Sequence, residues 1–363
     1  MRAVAVTVEG LEEVAILEIK EIVNSKAEKI IPSRVILSIK NDKSLAEFIY
    51  KSRSILKAYL LLENFNFSSK KDILSKIGAI KIPYLKNSFA VHCERTGNHD
   101  FNSQDIEKTV GGFINNKYKV KADLDNPEVI VLVDIVGNNC FIGIDFSGIK
   151  LSKRDYRIKL LSNSINSIVA YSMCRLSDIK PADVILDTFC KSGEIPIEAA
   201  LFLKNIPNCM HLKDKLQFSK FLDVKFKDNV KDKKLGIIAM DSLQNNVRSS
   251  EINAKLASVN KDIKFSRLEV EWLDTKFKEF SVSKIITFPP HPSNNLPQSV
   301  VERMYKELFY NSEYILKKDG SITILTPRKD LIEKYAFEYR FKKVKEVSLV
   351  MGNNKFNILV FRK

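Results

Sequence analysis

Residues 184–200 read VILDTFCKSGEIPIEAA. The apolar run Val184-Ile185-Leu186 closes at Asp187 and gives way to a loop of small residues. Ile195, Ala199 and Leu203 then fall on one helical face. Strand, tight turn and helix in that order open a doubly wound α/β domain. Ligands in such folds bind at the carboxyl ends of the strands, where backbone N–H groups and the helix N-terminus are free to bond them. A buried strand-turn-helix with no ligand has the same pattern, and one glycine, Gly193, does not separate the two.

Downstream the same alternation continues. Leu235 to Met240 reads as a strand ending at Asp241, followed by the helical SLQNNVRSSEINAKLASV. Leu268 to Trp272 reads as a third strand, ending at Asp274. Ser283 to Thr287 reads as a fourth and runs into Phe288-Pro289-Pro290-His291. Val300 to Leu316 is an amphipathic helix pattern, Ser321 to Thr326 a strand, and Phe341–Val350 with Phe356–Phe361 a closing hairpin around Gly352-Asn353-Asn354. Between the first two strands lies a Lys- and Asp-crowded insertion, Asn208 to Lys234, expected as a surface excursion or an extra helix. Upstream, Ser162 to Leu176 reads as a helix leading into the first strand.

The N-terminal part has a different rhythm. Val4, Val6 and Val8 alternate as in a strand, and Gly10 opens a helix with Leu11, Ala15, Ile19 and Ile22 on its apolar face. Val35 to Ile39, a helical segment around Leu45–Tyr50, and Ala58 to Leu62 complete a ferredoxin-like order. A strand from Phe89 then leads through a polar loop to a helix capped near Ser103. Val129–Val136 and Cys140–Phe146 form a hairpin about Gly137-Asn138-Asn139. The expected division is residues 1–157 and 158–363.

Bulk composition bounds the function. A chain of 363 residues suits two domains, and 59 Lys and Arg against 44 Asp and Glu give a net charge of +15. So basic a balance points to a polyanionic partner, with nucleic acid first. Five cysteines without a Cys-x-x-Cys pair and four histidines without ligand spacing supply neither a disulfide framework nor a metal site. No apolar run reaches the ~18 residues of a spanning helix, and a cytoplasmic protein is expected.

The 184–200 stretch resembles motif I of class I S-adenosylmethionine (SAM)-dependent methyltransferases, in the form DP-x-CGSGT-x-x-IEAA of the THUMP-domain RNA methyltransferases. Asp187, Phe189, Cys190, Ser192, Gly193, Ile197, Glu198, Ala199 and Ala200 fit it; Thr188, Lys191 and Glu194 depart from it. The resemblance implies a Rossmann-like methyltransferase domain preceded by an α+β ferredoxin-like/THUMP region. It implies SAM as cofactor, held by Asp187, Cys190, Ser192, Gly193, Asp241 (ribose hydroxyls) and Asp274 (adenine amino group). Residues 288–291 are similar to motif IV, [DNS]-P-P-[YFWH]. There a side-chain oxygen and the carbonyl of the first proline accept the two hydrogens of an exocyclic amine, while the fourth residue stacks on an extruded base. Phe288, Pro289, Pro290 and His291 occupy the catalytic positions, and Phe288 brings no acceptor; Thr287, Asn294 and Asn295 are the nearby substitutes.

Arg95, Ser103, Gln104, Asp105, Ile106, Asn126 and Pro127 match the THUMP pattern, and Gly10-Leu11-Glu12 matches the opening of its ferredoxin-like companion. Lys153-Arg154-Asp155-Tyr156-Arg157 resembles the RGYR junction of the family. The resemblance makes RNA, tRNA foremost, the partner, with Arg95, Arg154 and Arg157 as RNA contacts. A structural clamp suits Arg154 and Arg157 equally. No membrane association follows, and no protein partner is indicated. The implied activity is methylation of a tRNA guanine at N2; the alternative is a catalytically degenerate relative that binds RNA or a partner protein.

Overall fold

The computed structural model describes residues 1–161, 164–352 and 354–363. They pack as two compact units. The first holds residues 1–7, 15–151 and 208–227; the second holds 8–14, 152–207 and 228–363.

The first unit runs β1 (Arg2–Val6), α1 (Glu12–Val23), β2 (Ala27–Ile31), β3 (Arg34–Ser38), α2 (Asp42–Lys51), β4 (Lys57–Asn66), α3 (Lys70–Ala79), β5 (Ser88–Thr96), α4 (Ser103–Tyr118), β6 (Lys121–Ala122), β7 (Val129–Val136) and β8 (Asn139–Asp145). Its sheet order is β2-β3-β1-β4-β8-β7-β5-β6. The ferredoxin-like half and the half beginning at β5 are one sheet, joined by antiparallel pairing of β4 with β8. The cap of helix α4 lies one residue earlier than expected: Asn102 accepts from the Asp105 N–H, and the Asp105 side chain accepts from the Asn102 N–H, a capping box. Ile106, Val110 and Ile114 bury its stripe against the sheet.

The insertion after Pro207 is not a surface excursion throughout. Residues 208–227 belong to the first unit. Cys209, Leu216 and Phe218 are buried in its core, and Gln217 and Phe218 donate backbone N–H bonds to Ser147 and Phe146. Tyr50 stacks on Phe226 with centroids 4.3 Å apart. The apolar residues that do this are spaced among lysines and aspartates, so no helical or strand period announces them.

The second unit contains α5 (Ser167–Leu176), β9 (Val184–Asp187), α6 (Glu194–Leu203), β10 (Gly236–Asp241), α7 (Gln244–Leu256), β11 (Ile263–Arg267), α8 (Leu273–Lys276), β12 (Val282–Thr287), α9 (Gln298–Ile315), β13 (Leu316–Thr326), α10 (Lys329–Glu338), β14 (Lys342–Met351) and β15 (Asn354–Arg362). The order is β11-β10-β9-β12-β13-β15-β14, parallel except for β15, which runs antiparallel to both neighbours. The order reverses between β9 and β12, so the loops after β9, β10 and β12 converge at the switch point where such sheets bind ligands. The helix expected from Ser162 is described from Ser167; Ser162, Asn163 and the hairpin residue Asn353 lie outside the described residues.

The third parallel strand corrects the sequence reading. It is Ile263–Arg267, paired in step with β10 from Ile237↔Ile263 to Asp241↔Arg267. Leu268, Val270 and Trp272 alternate as a strand would, but they form a loop and a 3₁₀ turn in which Val270 is buried and Trp272 exposed.

Candidate active site at the strand ends

Gly193 closes the loop after β9 because nothing larger fits: its φ is +89°, and a Cβ there would lie 2.3 Å from Ser250 Oγ. Cys190 donates its N–H to Met240 O (2.8 Å) and Lys191 donates its N–H to the Asp241 carboxylate (3.1 Å), tying the loop to the end of β10. Asn253 on α7 grips the same loop from behind, its side-chain amide donating to Ser192 O and Lys159 O. Ser192 is itself wholly buried, with its hydroxyl on Glu194. Burial pushes the Cys190 thiol well above its ordinary range, leaving it inert.

Asp187 closes β9 with Oδ1 accepting from the Thr287 hydroxyl (2.7 Å) and the Phe189 N–H (3.2 Å). Burial raises its carboxyl to about 7, against these hydrogen bonds and the nearby charge of Lys191. Asp241 accepts from the Leu243 N–H and the Asn246 side chain at Oδ1 and from Lys191 N–H at Oδ2.

The loop after β12 folds inward. Phe288 is buried, stacked on His291 (centroids 5.8 Å) and edge-on to Phe356 (6.1 Å). Lys191 Nζ lies 3.4 Å from the centroid of the Phe288 ring. The Pro290 carbonyl accepts from the Tyr305 hydroxyl (2.7 Å), whereas among the described residues nothing donates to the Pro289 carbonyl. His291 Nδ1 is buried without a partner, and desolvation and the charge of Lys191 lower its pKa. Asp187, Cys190, Lys191, Ser192, Gly193, Asp241, Phe288, Pro289, Pro290 and His291 are thus brought together.

Asp274 is not. It stands exposed on α8 and lines a separate surface cavity of about 470 Å³ with Glu279, Tyr310 and Tyr314. The residue that follows the true strand end is Glu269, exposed, two positions after Arg267. Only the strand register, hidden by the competing Leu268/Val270/Trp272 alternation, would have found it.

Two of the three arginines are tied to α6. Arg154 is buried, its Nε 2.8 Å from Glu198 Oε1, and Tyr156 donates to the same oxygen at 2.9 Å. Arg157 bonds Glu194 (3.2 Å) and Ile165 O (2.9 Å). Both guanidinium groups hold the chain to α6, as in the clamp that the sequence offered equally with phosphate contacts. Arg95 is half-buried in the first unit, with Nη1 2.8 Å from His99 Nδ1 and its guanidinium 5.8 Å from the Phe101 ring.

The donor set at the strand ends fits an adenosyl group. Carboxylates follow β9, β10 and β11 in adjacent positions (Asp187, Asp241, Glu269), acceptors for the hydroxyl and amino hydrogens of a nucleoside. Fold and site together define a class I SAM-dependent methyltransferase domain in a chain that also carries a separate α+β unit.

The comparisons agree. Residues 154–356 match the family model of the RMKL-like methyltransferase domain (UPF0020), and residues 68–145 that of the THUMP domain. The chain belongs to the RMKL-like methyltransferase family. It is 31% identical to the tRNA (guanine(6)-N2)-methyltransferase of Methanocaldococcus jannaschii, over 91% of this chain and 93% of that one. To the enzyme of the same name from Archaeoglobus fulgidus it is 26% identical, over 99% and 92%. TrmN from Thermus thermophilus shares the fold with a TM-score of 0.77 at 23% identity, covering 100% of this chain and 99% of that one. SMU.472, a methyltransferase crystallised with SAH, does so with 0.80 at 20% identity, covering 99% and 97%. No helix among the described residues is long and apolar enough to cross a membrane.

Proposed function

We propose that this protein methylates the exocyclic N2 of a guanine in tRNA, at the position 6 named for its archaeal relatives, and does so in the cytoplasm. The observation that carries the reading is the convergence of Asp241, the 190–193 loop and Phe288-Pro289-Pro290-His291 at one switch point, where the Pro289 carbonyl takes no donor among the described residues. SAM supplies an electrophilic methyl group when bound. Asp241 would hold the ribose hydroxyls, with Glu269 next along the strand ends. The Pro289 carbonyl would take one hydrogen of the target amine and turn its lone pair inward. His291, flat and half-buried, offers a face for a base flipped out of its stack. The +15 charge and the THUMP unit favour RNA as the polyanion, and Arg95 remains as the RNA contact in that unit.

The test is radiolabelled methyl transfer to unmodified tRNA followed by nucleoside analysis. Label in N2-methylguanosine is expected. No transfer, with tRNA binding demonstrated, would replace this reading with that of an RNA-binding relative. Asp241→Asn should weaken SAM binding by about 1.5–3 kcal/mol, the scale of a charge-assisted hydrogen bond, by calorimetry.

A further inference from the structure

Two positions at which this chain departs from the motifs it resembles meet in space. Lys191 stands where the loop has a glycine and Phe288 where motif IV has an acceptor, and Lys191 Nζ sits over the Phe288 ring at 3.4 Å. Resting on the methyltransferase reading above, we propose that Lys191 supplies the acceptor Phe288 lacks: its uncharged amine receives a proton from the target N2.

The alternative acceptors are spent or absent. Thr287 Oγ1 donates to Asp187 and accepts from Thr188, so it is held against β9. Asn294 and Asn295 are exposed in the turn closed by Ser293 and Leu296. Lys191 is instead directed inward at a conformational cost. Its φ is +51°, a left-handed position that costs a non-glycine residue about 1–2 kcal/mol and persists where the surroundings impose it. The bond from its N–H to Asp241 is one such constraint.

Its amine has the environment of a base. Lys191 is buried, and among the described residues Nζ makes no ion pair or hydrogen bond. Burial lowers its pKa to about 8, although Asp187 from β9, Asp241 from β10 and Glu194 at the start of α6 all pull it upward. From the loop after β12 it faces His291, with no carboxylate among residues 288–291. A sulfonium alongside would oppose the ammonium form further, because like charges in one buried pocket repel. In the transfer the N2–CH₃ bond forms as the S–CH₃ bond breaks. The pair of the broken bond stays on sulfur, and the N2 proton ends on Nζ, which later returns it to water.

The experiment compares full-length wild type, Lys191→Met and Lys191→Met/Phe288→Asn. Single-turnover transfer to tRNA is measured at saturating SAM from about pH 6 to about pH 10. SAM binding is measured by calorimetry in two buffers of different ionisation heat. The wild-type rate should climb with pH and level below about 8, because bound SAM lowers the amine's pKa further. Lys191→Met should lose on the order of 10²–10⁴ in rate, the usual worth of a proton acceptor, with SAM and tRNA affinities within a few-fold. The double variant should recover at least about tenfold, without the rise toward pH 8. Wild type should release protons to the buffer on binding SAM near neutral pH, and Lys191→Met should not. The proposal is overturned if Lys191→Met keeps its rate within about threefold, fails only through lost SAM affinity, releases the same protons, or is not rescued by Phe288→Asn. A wild type inert on tRNA would sink the proposed function itself, whereas an active Lys191→Met sinks only the role of Lys191.

Discussion

Both units bury charge in closed pairs, Arg34–Asp134 in the first and Arg154–Glu198 in the second, but the second also buries an open pair. In the first, Arg34 and Asp134 meet as a two-pronged pair, Nε to Oδ2 at 2.6 Å and Nη2 to Oδ1 at 2.7 Å, and the Tyr59 hydroxyl adds a third bond to Asp134 at 2.9 Å. Every group has its partner, and the cluster joins β3, β4 and β7. In the second, Lys191 and Asp187 are equally buried but make no ion pair; one faces an aromatic ring and the other a threonine. Burial accordingly moves both toward neutrality, Lys191 down to about 8 and Asp187 up to about 7. A saturated buried pair holds strands in register. An unsaturated one retains the capacity to exchange protons or accept a ligand, and that is where function is to be sought.

Substitutions should expose the contrast through opposite signs. Asp134→Ala would strand the Arg34 guanidinium in the core and should destabilise the first unit by about 3–5 kcal/mol, read from denaturant unfolding. Glu198→Ala should cost the second unit nearly as much, about 3 kcal/mol, because Arg154 and Tyr156 both lose their acceptor. Lys191→Gly should do the reverse. It relieves the left-handed strain and removes a poorly solvated amine, so the second unit should gain about 1 kcal/mol while methyl transfer falls. A loss of stability in Lys191→Gly would mean that the ring contact outweighs the strain.

The open pair also sets a pH dependence. Asp187 binds its proton more tightly folded (about 7) than unfolded (3.8), so its contribution to stability declines as pH rises from about 4 to about 7. Lys191 holds its proton less tightly folded (about 8) than unfolded (10.5), so stability is regained as pH rises from about 8 to about 10.5. Urea midpoints of the second unit should therefore pass through a minimum between about pH 7 and 8, and Lys191→Met should abolish the alkaline recovery. A flat wild-type profile above pH 8 would show that Lys191 is not desolvated as the structure places it.

Much of this architecture was legible in the chain. Val129–Val136 begins and ends where its apolar run does, and β9 closes on Asp187 as the apolar run indicates. The misreadings share a cause. Leu268/Val270/Trp272 carries the right period for a strand, but pairing with β10 stops at Arg267 and makes Glu269, not Asp274, the strand-end carboxylate. Leu216 and Phe218 lie within a charged stretch whose apolar spacing has no period, yet both are buried in the core of the first unit. Arg154 suits a phosphate contact and a clamp equally until Glu198, at the end of motif I, is seen to take it.

The amino-acid sequence by itself determined the kind and order of the parts: a ferredoxin-like and THUMP half, then a Rossmann-like half with carboxylates at its first two strand ends and a Pro-Pro loop after its fourth. Periodicity, turn residues and short motifs are local properties, and a local reading recovers them. Only the tertiary structure decided which side chains meet. Lys191 and Phe288 are each a departure from motif when read along the chain, yet together they form one contact, because β9 and β12 lie side by side in the sheet. Burial then sets what that contact can do: desolvated, and with no ion pair among the described residues, Lys191 holds its proton less tightly than a lysine ordinarily does.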